Sequence, residues 1–276
     1  MMVSMSTAAT TTSSSSPAST TRVARTVAIT SGKGGVGKTF VSANLAAALT
    51  RQGLKVLVLD ADLGLANLDV VLNLYPKITL HDVFTGKADL EEAILPAPGG
   101  FSVLLAGSGL VEYSRLTPEV RDQLHNIIEA VKPRFDVLLI DTGAGISDVV
   151  LYAVSLAHEV IVVATPEPTS MTDAYATIKV LSSQQGRESL NMVVNQVSRS
   201  GDGRAICNQL QQVIERFVQS AAGQAPKLNF LGDVPLDSSV REAVQKRQLL
   251  LELHPGSAAS QGIVQVATRL LARQTA

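Results

Sequence analysis

A glycine-rich segment close to the start of the chain carries residues whose types and spacing can do chemistry. It reads Gly32-Lys33-Gly34-Gly35-Val36-Gly37-Lys38-Thr39. Because glycines let the backbone curl, successive N–H groups can point at one anion, and a helix that begins near Lys38 adds the partial positive charge of its N-terminus. The Lys38 ammonium can then reach the β- and γ-phosphates, and the Thr39 hydroxyl can ligate Mg²⁺. The segment predicts a loop that binds a nucleoside triphosphate with magnesium.

Lys33 is a second lysine in the same segment, and an ordinary phosphate loop does not need it. Its side chain starts on the outer lip of the loop. Chemistry alone leaves two interpretations open: a solvated loop lysine, or a lysine that projects away from its own nucleotide.

Two further carboxylates, Asp60 and Asp62, come at the end of an apolar run over residues 55–60. If the extended geometry persists, residues two apart point to the same side, here towards the phosphate loop. One carboxylate could then support the Mg²⁺ shell while the other orients the attacking water. Surface aspartates that cap a loop are the alternative interpretation.

Asp141 ends another apolar run, over residues 135–141. Four apolar residues followed by one carboxylate form the Walker B arrangement, which holds Mg²⁺ directly or through water. The glycines of residues 142–145 predict a loop that can move when the γ-phosphate is present. A plain strand-to-helix turn is the alternative.

Short apolar runs alternate with helical patterns along most of the chain. Predicted strands cover residues 26–30, 55–60, 101–106, 135–141, 159–165, 190–197 and 228–235. Predicted helices lie near residues 38–52, 117–131, 147–157, 169–184, 204–221, 238–253 and 259–273. This order predicts an α/β fold with a doubly wound, mostly parallel sheet. In such sheets, ligands bind beyond the carboxyl ends of the strands.

Composition limits which other functions and binding sites the chain can have. The 276 residues are 46% hydrophobic and 17% charged, with a formal net charge of -1, so a whole-chain basic field for nucleic acid is missing. Cys207 is the only cysteine, which excludes an internal disulfide and argues against a zinc or iron–sulfur cluster within one chain; this usage fits the cytoplasm. We expect residues 1–24 to be a disordered Ser/Thr-rich tail and residues 25–276 to form one domain.

Together these residues resemble the MinD/ParA family of deviant Walker ATPases, over roughly residues 25–272. The mark of the family is the early lysine, here Lys33. In that family this lysine crosses a dimer interface and touches the partner's nucleotide, and the resemblance implies the same for Lys33. The resemblance implies a P-loop NTPase fold, ATP and Mg²⁺ as cofactors, slow regulatory hydrolysis and an ATP-dependent homodimer. It also implies catalytic roles for Lys33, Lys38 and Asp62, and a metal site of Thr39, Asp60 and Asp141.

Further contacts follow by position from the same resemblance. It implies nucleotide contacts along the phosphate loop and at Phe40 and Gly145, an adenine contact at Asn195, and a loop beside the base that contains Pro235 and Asp237. Residues 60–69, 141–146, 167–175 and 239–246 are similar to the flagellar-number regulators of the family, the FlhG or FleN group. This implies control of flagellar number or placement through a partner GTPase and a transcription regulator.

Three alternatives stay open on the sequence. A division-site role, as for MinD, needs a terminal amphipathic helix that touches the inner face of the membrane. The apolar stripe of the last predicted helix favours core packing over membrane contact, and consists of Ile263, Val266, Ala267, Leu270 and Leu271. DNA partitioning, as for ParA, needs clustered Lys and Arg in a chain that is near neutral. A reductase or ligase on the same scaffold is disfavoured by the single cysteine or needs a substrate pocket that the sequence does not show.

Overall fold

A computed structural model describes residues 23–64, 66–107, 115–199, 201–219 and 223–273. The predicted disorder of the tail falls almost wholly on residues 1–22, which lie outside the described residues. Ala24 is already buried, and its N–H donates to the carbonyl of Lys132 at 3.2 Å. The assignment of residues 25–276 to one domain stays a prediction.

Strands and helices alternate along the described chain. The strands are β1 (Arg25–Ser31), β2 (Val56–Ala61), β3 (Ile94–Pro96), β4 (Ser102–Leu104), β5 (Val137–Ala144), β6 (Glu159–Ala164), β7 (Ser189–Val197) and β8 (Lys227–Pro235). The helices are α1 (Lys38–Thr50), α2 (Leu68–Leu72), α3 (Leu80–Phe84), α4 (Leu90–Ala93), α5 (Pro118–Val131), α6 (Asp148–Ser155), α7 (Pro168–Gln185), α8 (Asp202–Phe217), α9 (Ser238–Lys246), α10 (Leu250–Leu253) and α11 (Ala258–Ala272).

The eight strands form one sheet in the order β3-β4-β2-β5-β1-β6-β7-β8. Every neighbouring pair is parallel except β3 with β4, which are antiparallel. This confirms the predicted doubly wound, mostly parallel sheet. Since β1 lies between β5 and β6, and β2 lies on the far side of β5, the carboxyl ends of β1, β2 and β5 meet at one edge.

Each face of the sheet carries its own apolar core. Alternate residues of β1 illustrate the division, because Ala28 packs in one core while Val27 and Ile29 pack in the other. Strands buried on both faces need near-continuous apolar runs, and these runs are the pattern from which the strands were predicted. Helix α1 lies in the second core beside α11, so nearly all of its residues are buried.

The short elements between β2 and β4 were not predicted. Strand β3 and helices α2 to α4 have three to five residues each, too few to show a hydrophobic period. Helices α3 and α4 each begin with a capping box, at Thr79 with Asp82 and at Asp89 with Glu92. Those pairs were the available signal in the sequence.

Among the predicted boundaries that differ from the structure, two have a clear structural cause. The helix predicted over residues 238–253 is two helices, α9 and α10, because Arg247 adopts a left-handed conformation with φ of 53° and ends the first. Strand β5 continues past Asp141 to Ala144, where the prediction placed a loop. Thr142 pairs with Ala61 of β2 and Ala144 pairs with Ser31 of β1, so these residues belong to the sheet.

The apolar stripe of α11 is part of the core. Ile263, Val266, Ala267 and Leu270 have no exposed surface, and the helix packs on α1 and β8. Core packing, the favoured interpretation of this stripe, is confirmed. Within the described residues, no helix has the length and apolar character needed to cross a bilayer.

Candidate nucleotide-binding site

A cleft of about 550 Å³ opens at the sheet edge where β1, β2 and β5 end. Three segments line it: the glycine-rich loop with the start of α1, the loop after β2, and the end of β5 with the start of α6. The lining residues of the first segment are Gly34, Gly35, Gly37, Lys38, Thr39 and Phe40. The second segment contributes Ala61, Asp62, Leu63, Gly64 and Asn67, and the third contributes Gly143, Ala144, Ser147, Val149 and Val150.

Two glycines of the loop are required by their surroundings. Gly37 is the N-cap of α1 with φ of 91°, and a Cβ there would lie 2.4 Å from Asn195 Nδ2. That same amide donates to the carbonyl of Val36 at 2.8 Å. A Cβ on Gly32 would lie 2.2 Å from the main chain of Asp173. The curl of the loop is therefore held from outside by β7 and α7.

The start of α1 faces the carboxylate at the end of β5. Asp141 is buried, and Ser42 Oγ lies 2.8 Å from its Oδ1. Burial raises the pKa of Asp141 to about 6, while the Ser42 hydrogen bond, the charge of Lys38 and the Thr39 hydroxyl lower it. Lys38 and Thr39, which are predicted to bind the phosphates and Mg²⁺, thus both interact with the Walker B carboxylate of Asp141.

Asp60 lies beside Asp141 on the neighbouring strand, and the two residues are register partners. Burial and then the negative charge of Asp141 raise the pKa of Asp60 well above its ordinary value. Its Oδ1 accepts from the Asp62 N–H at 3.1 Å, and its side chain lines a second cavity of about 300 Å³ rather than the cleft. Asp60 therefore lies behind the residues that line the cleft.

The donor set fits a magnesium ion. Burial raises the pKa of both carboxylates, and Lys38 offsets this only in part at Asp141, so a bound cation would relieve the remaining charge; Thr39 adds a hydroxyl oxygen. Oxygen ligands are the ones Mg²⁺ prefers, and it usually keeps waters and substrate phosphates in its shell. Accordingly, no cluster of three or more His, Cys, Asp or Glu side chains forms a protein cage within the described residues.

Asp62, predicted to orient water, lines the cleft and approaches the end of β5. A Cβ on Gly143 would lie 3.4 Å from Asp62 Oδ1 and 3.2 Å from Val150 Cγ2. The loop after β2, the end of β5 and the start of α6 therefore come close together.

Lys33 is not turned into the cleft. Its Nζ donates to Glu167 Oε2 at 2.9 Å and to Thr169 Oγ1 at 3.0 Å, and it does not line the cleft. The lysine and glutamate side chains are 39% and 62% exposed. The structure thus places the head group of Lys33 at the outer lip, against the start of α7.

The residues predicted to contact the base lie apart from the cleft lining. Asn195 is buried and bonded to the phosphate loop, as described above, and its Oδ1 accepts from the Gln196 N–H at 2.9 Å. Pro235 ends β8. The Asp237 carboxylate accepts from Ser239 N at 2.9 Å and from Ala259 N at 3.3 Å, so it caps both α9 and α11.

Two other predicted contacts take different places. Phe40 lines the cleft, whereas Gly145 is absent from the lining. The N–H of Gly145 donates to the Ser31 carbonyl at 2.8 Å, and its φ of 88° favours glycine. Gly145 thereby ties the end of β5 to the start of the phosphate loop.

Sequence reasoning missed several residues of this site. Ser42 stands one turn after Lys38, a helical spacing that places both on one face of α1 and was a usable signal. Asn67 and Ser147 line the cleft as the N-caps of α2 and α6. The contact of Glu167 with Lys33 joins residues 134 positions apart, and no local pattern reports such a contact.

The sequences of known proteins match most of this chain. The sequence family described as "ParA: NUBPL iron-transfer P-loop NTPase" matches residues 22–271. The Antiactivator FleN of Pseudomonas aeruginosa is 43% identical over 244 residues, which cover 88% of this chain and 85% of FleN. The Flagellum site-determining protein YlxH of Helicobacter pylori is 35% identical over 249 residues, which cover 90% of this chain and 82% of YlxH.

Two solved structures share the fold. The cell division ATPase MinD of Pyrococcus furiosus superposes with a TM-score of 0.74 at 30% identity, covering 91% of this chain and 99% of MinD. The septum site-determining protein MinD of Pyrococcus horikoshii OT3, complexed with Mg-ADP, gives 0.72 at 31% identity, covering 92% and 99%. With a cleft built from a phosphate loop and a Walker B strand, the chain belongs to the ParA/MinD family of P-loop NTPases.

Proposed function

We propose that this chain is a switch ATPase that dimerises when it holds ATP and regulates flagellar number or placement. The observation that carries the proposal is the division between the two loop lysines. Lys38 stands at the start of α1, lines the cleft and acts on Asp141, whereas Lys33 points out of the cleft. This division supports one lysine serving the chain's own nucleotide and the other serving a different molecule.

The cleft has the parts that phosphoryl transfer needs. Lys38 and the loop amides would bind the phosphates, and Thr39 with Asp141 would hold Mg²⁺, which would supply charge neutralisation to the phosphates. Asp62 lines the same cleft and orients the attacking water. Asp60, on the strand beside Asp141, would support the metal shell, and its carboxylate accepts from the Asp62 N–H. The Mg-ADP complex of the horikoshii MinD supports this nucleotide and metal.

Dimerisation follows from electrostatics. Two phosphate-bearing clefts repel each other, and a lysine supplied across the interface removes that repulsion. Lys33 is free to make this exchange at small cost, because exposed ion pairs such as that with Glu167 contribute about 0–1 kcal/mol. After hydrolysis the γ-phosphate leaves, the loops after β2 and β5 relax, and the dimer separates.

Light scattering with ATP, ADP or no nucleotide tests the switch. Asp62→Ala should bind ATP and remain dimeric, because hydrolysis is lost, and should be monomeric with ADP. Lys33→Ala should bind ATP as a monomer, while Lys87→Ala, a substitution of an exposed lysine outside the cleft lining, should behave as the unmodified chain. Equal mass of the Asp62→Ala protein in ATP and ADP would refute the switch.

The flagellar role rests on the similarity to FleN and YlxH over most of the chain. A pull-down from the source cell with Asp62→Ala held in ATP should recover a flagellar GTPase or a transcription regulator. Flagella per cell and the position of the division septum should be measured in the same cells that carry Asp62→Ala. Altered flagellar number with normal septa supports the proposal, whereas misplaced septa with normal flagella supports division-site positioning instead.

A further inference from the structure

A buried hydroxyl connects α1 to the Walker B carboxylate. Ser42 has no exposed surface, and its Oγ lies 2.8 Å from Asp141 Oδ1 and 3.0 Å from the carbonyl of Lys38. The contact with Asp141 spans 99 positions in the chain, so it joins the helix after the phosphate loop to the centre of the sheet.

The serine has one proton to donate and two acceptors within reach. Hydrogen bonds to an ionised acceptor are shorter and about twice as strong as bonds between neutral groups. The Oγ–Oδ1 distance is also the shorter of the two, so the hydroxyl donates chiefly to Asp141 and the Lys38 carbonyl is the lesser acceptor.

A hydrogen-bond donor to this carboxylate matters because rotation about the Asp side-chain torsion χ2 is only weakly restricted. The terminal χ2 of Asp is broad, so packing alone leaves the orientation of the two oxygens poorly defined. A bond at Oδ1 selects one orientation and leaves the other oxygen for the metal shell. We propose that Ser42 is a positioning residue that fixes the Asp141 carboxylate for Mg²⁺, an inference that rests on the proposed ATPase function.

Another serine of this chain shows that burial alone does not require a partner. Ser182 on α7 also has no exposed surface, and its Oγ lacks a hydrogen-bond partner among the described residues. The two serines share side chain, helical setting and burial, and differ in the carboxylate. Ser182→Ala is therefore a matched control for Ser42→Ala.

The test measures nucleotide binding as Mg²⁺ is titrated, with a fluorescent ATP analogue as the probe. Ser42→Ala should raise the Mg²⁺ concentration for half-maximal binding about tenfold, the lower end of the effect of groups that orient metal ligands. Affinity for the same analogue in EDTA should stay within about twofold of the unmodified chain. Ser182→Ala should change neither quantity. Ser42→Cys keeps a side-chain donor at this position, as a somewhat larger and weaker thiol, and should give an intermediate Mg²⁺ requirement.

The outcomes separate this inference from the function on which it rests. An unchanged Mg²⁺ requirement in folded Ser42→Ala, or in Ser42→Cys if the alanine variant does not fold, overturns the positioning role and leaves the ATPase standing. Equal loss of affinity with Mg²⁺ and with EDTA also overturns it, because the serine would then support the loop and not the metal. If the unmodified chain binds no magnesium nucleotide, the proposed function itself fails.

Discussion

Replacing Asp141 by Asn should make the metal-free protein more stable at neutral pH. Burial raises the pKa of Asp141 to about 6 from the ordinary aspartate value of 3.8. The folded state thus binds more protons than the unfolded state between these values, and stability falls as pH rises through this window. One pKa unit is worth 1.36 kcal/mol, so the penalty on the ionised, metal-free protein is about 3 kcal/mol above pH 7.

Asparagine keeps the shape of the side chain and can still accept from Ser42, but it carries no charge. Urea unfolding without nucleotide or metal should therefore show Asp141→Asn more stable by about 3 kcal/mol at pH 7.5. The advantage should shrink to about 1 kcal/mol at pH 4.5, where the unmodified carboxyl is mostly protonated in the folded state. The gain at pH 7.5 also includes relief of Asp60, whose raised pKa depends in part on Asp141.

Asp122→Asn is the control, since Asp122 is exposed on α5. It should leave unfolding free energies unchanged at both pH values. Magnesium nucleotide should stabilise the unmodified chain, because the ion removes the charge penalty, and should stabilise Asp141→Asn much less. A variant that is no more stable than the unmodified chain at pH 7.5, or whose advantage is the same at both pH values, would refute the reasoning.

The remaining predictions concern the loop, the water-orienting carboxylate and a helix cap. Lys38→Ala should abolish nucleotide binding or hydrolysis, and near-normal turnover in a phosphate-release assay would remove Lys38 from its role. Asp62→Ala should bind ATP in calorimetry but lose hydrolysis, and failure to bind would reassign Asp62 to folding or metal. Gly37→Ala should lower nucleotide affinity at least tenfold in calorimetry, because its Cβ would overlap Asn195 and its φ is positive; unchanged affinity would contradict this. Asp237→Ala should lose about 1–2 kcal/mol in urea unfolding at neutral pH, since it caps two helices. Its lowered pKa means that this stability falls away as pH drops below the ordinary Asp range, and an unchanged midpoint at pH 7 would count against the cap.

Most of the sheet was predictable because its strands are apolar runs of distinctive length. The predicted segments for β1, β2 and β5 to β8 agree with the structure to within a few residues. The elements between β2 and β4 were not predicted because three to five residues carry no period. The continuation of β5 to Ala144 depends on strand pairing with Ser31 and Ala61. The small residues of this segment show no sequence pattern from which that pairing could be predicted.

The role of Asp237 shows where positional likeness and structure give different information. The resemblance implied a loop beside the base, and this expectation stays a prediction. In the structure its carboxylate accepts hydrogen bonds at the N-termini of α9 and α11. The bond to α11 comes from Ala259, 22 positions further along the chain. An N-cap to α9 could have been predicted from the spacing, whereas the second bond to α11 required the packed fold.

The sequence by itself determined the phosphate loop and the class of fold. A run of eight residues supplies the loop amides, the lysine and the hydroxyl together, and apolar periodicity is likewise a local property. Only the tertiary structure decided that Asp60 lies behind Asp141, that Ser42 holds this carboxylate, and that Lys33 rests on Glu167. These residues lie 81 to 134 positions apart in the chain, and only the packing of whole helices and strands brings them together.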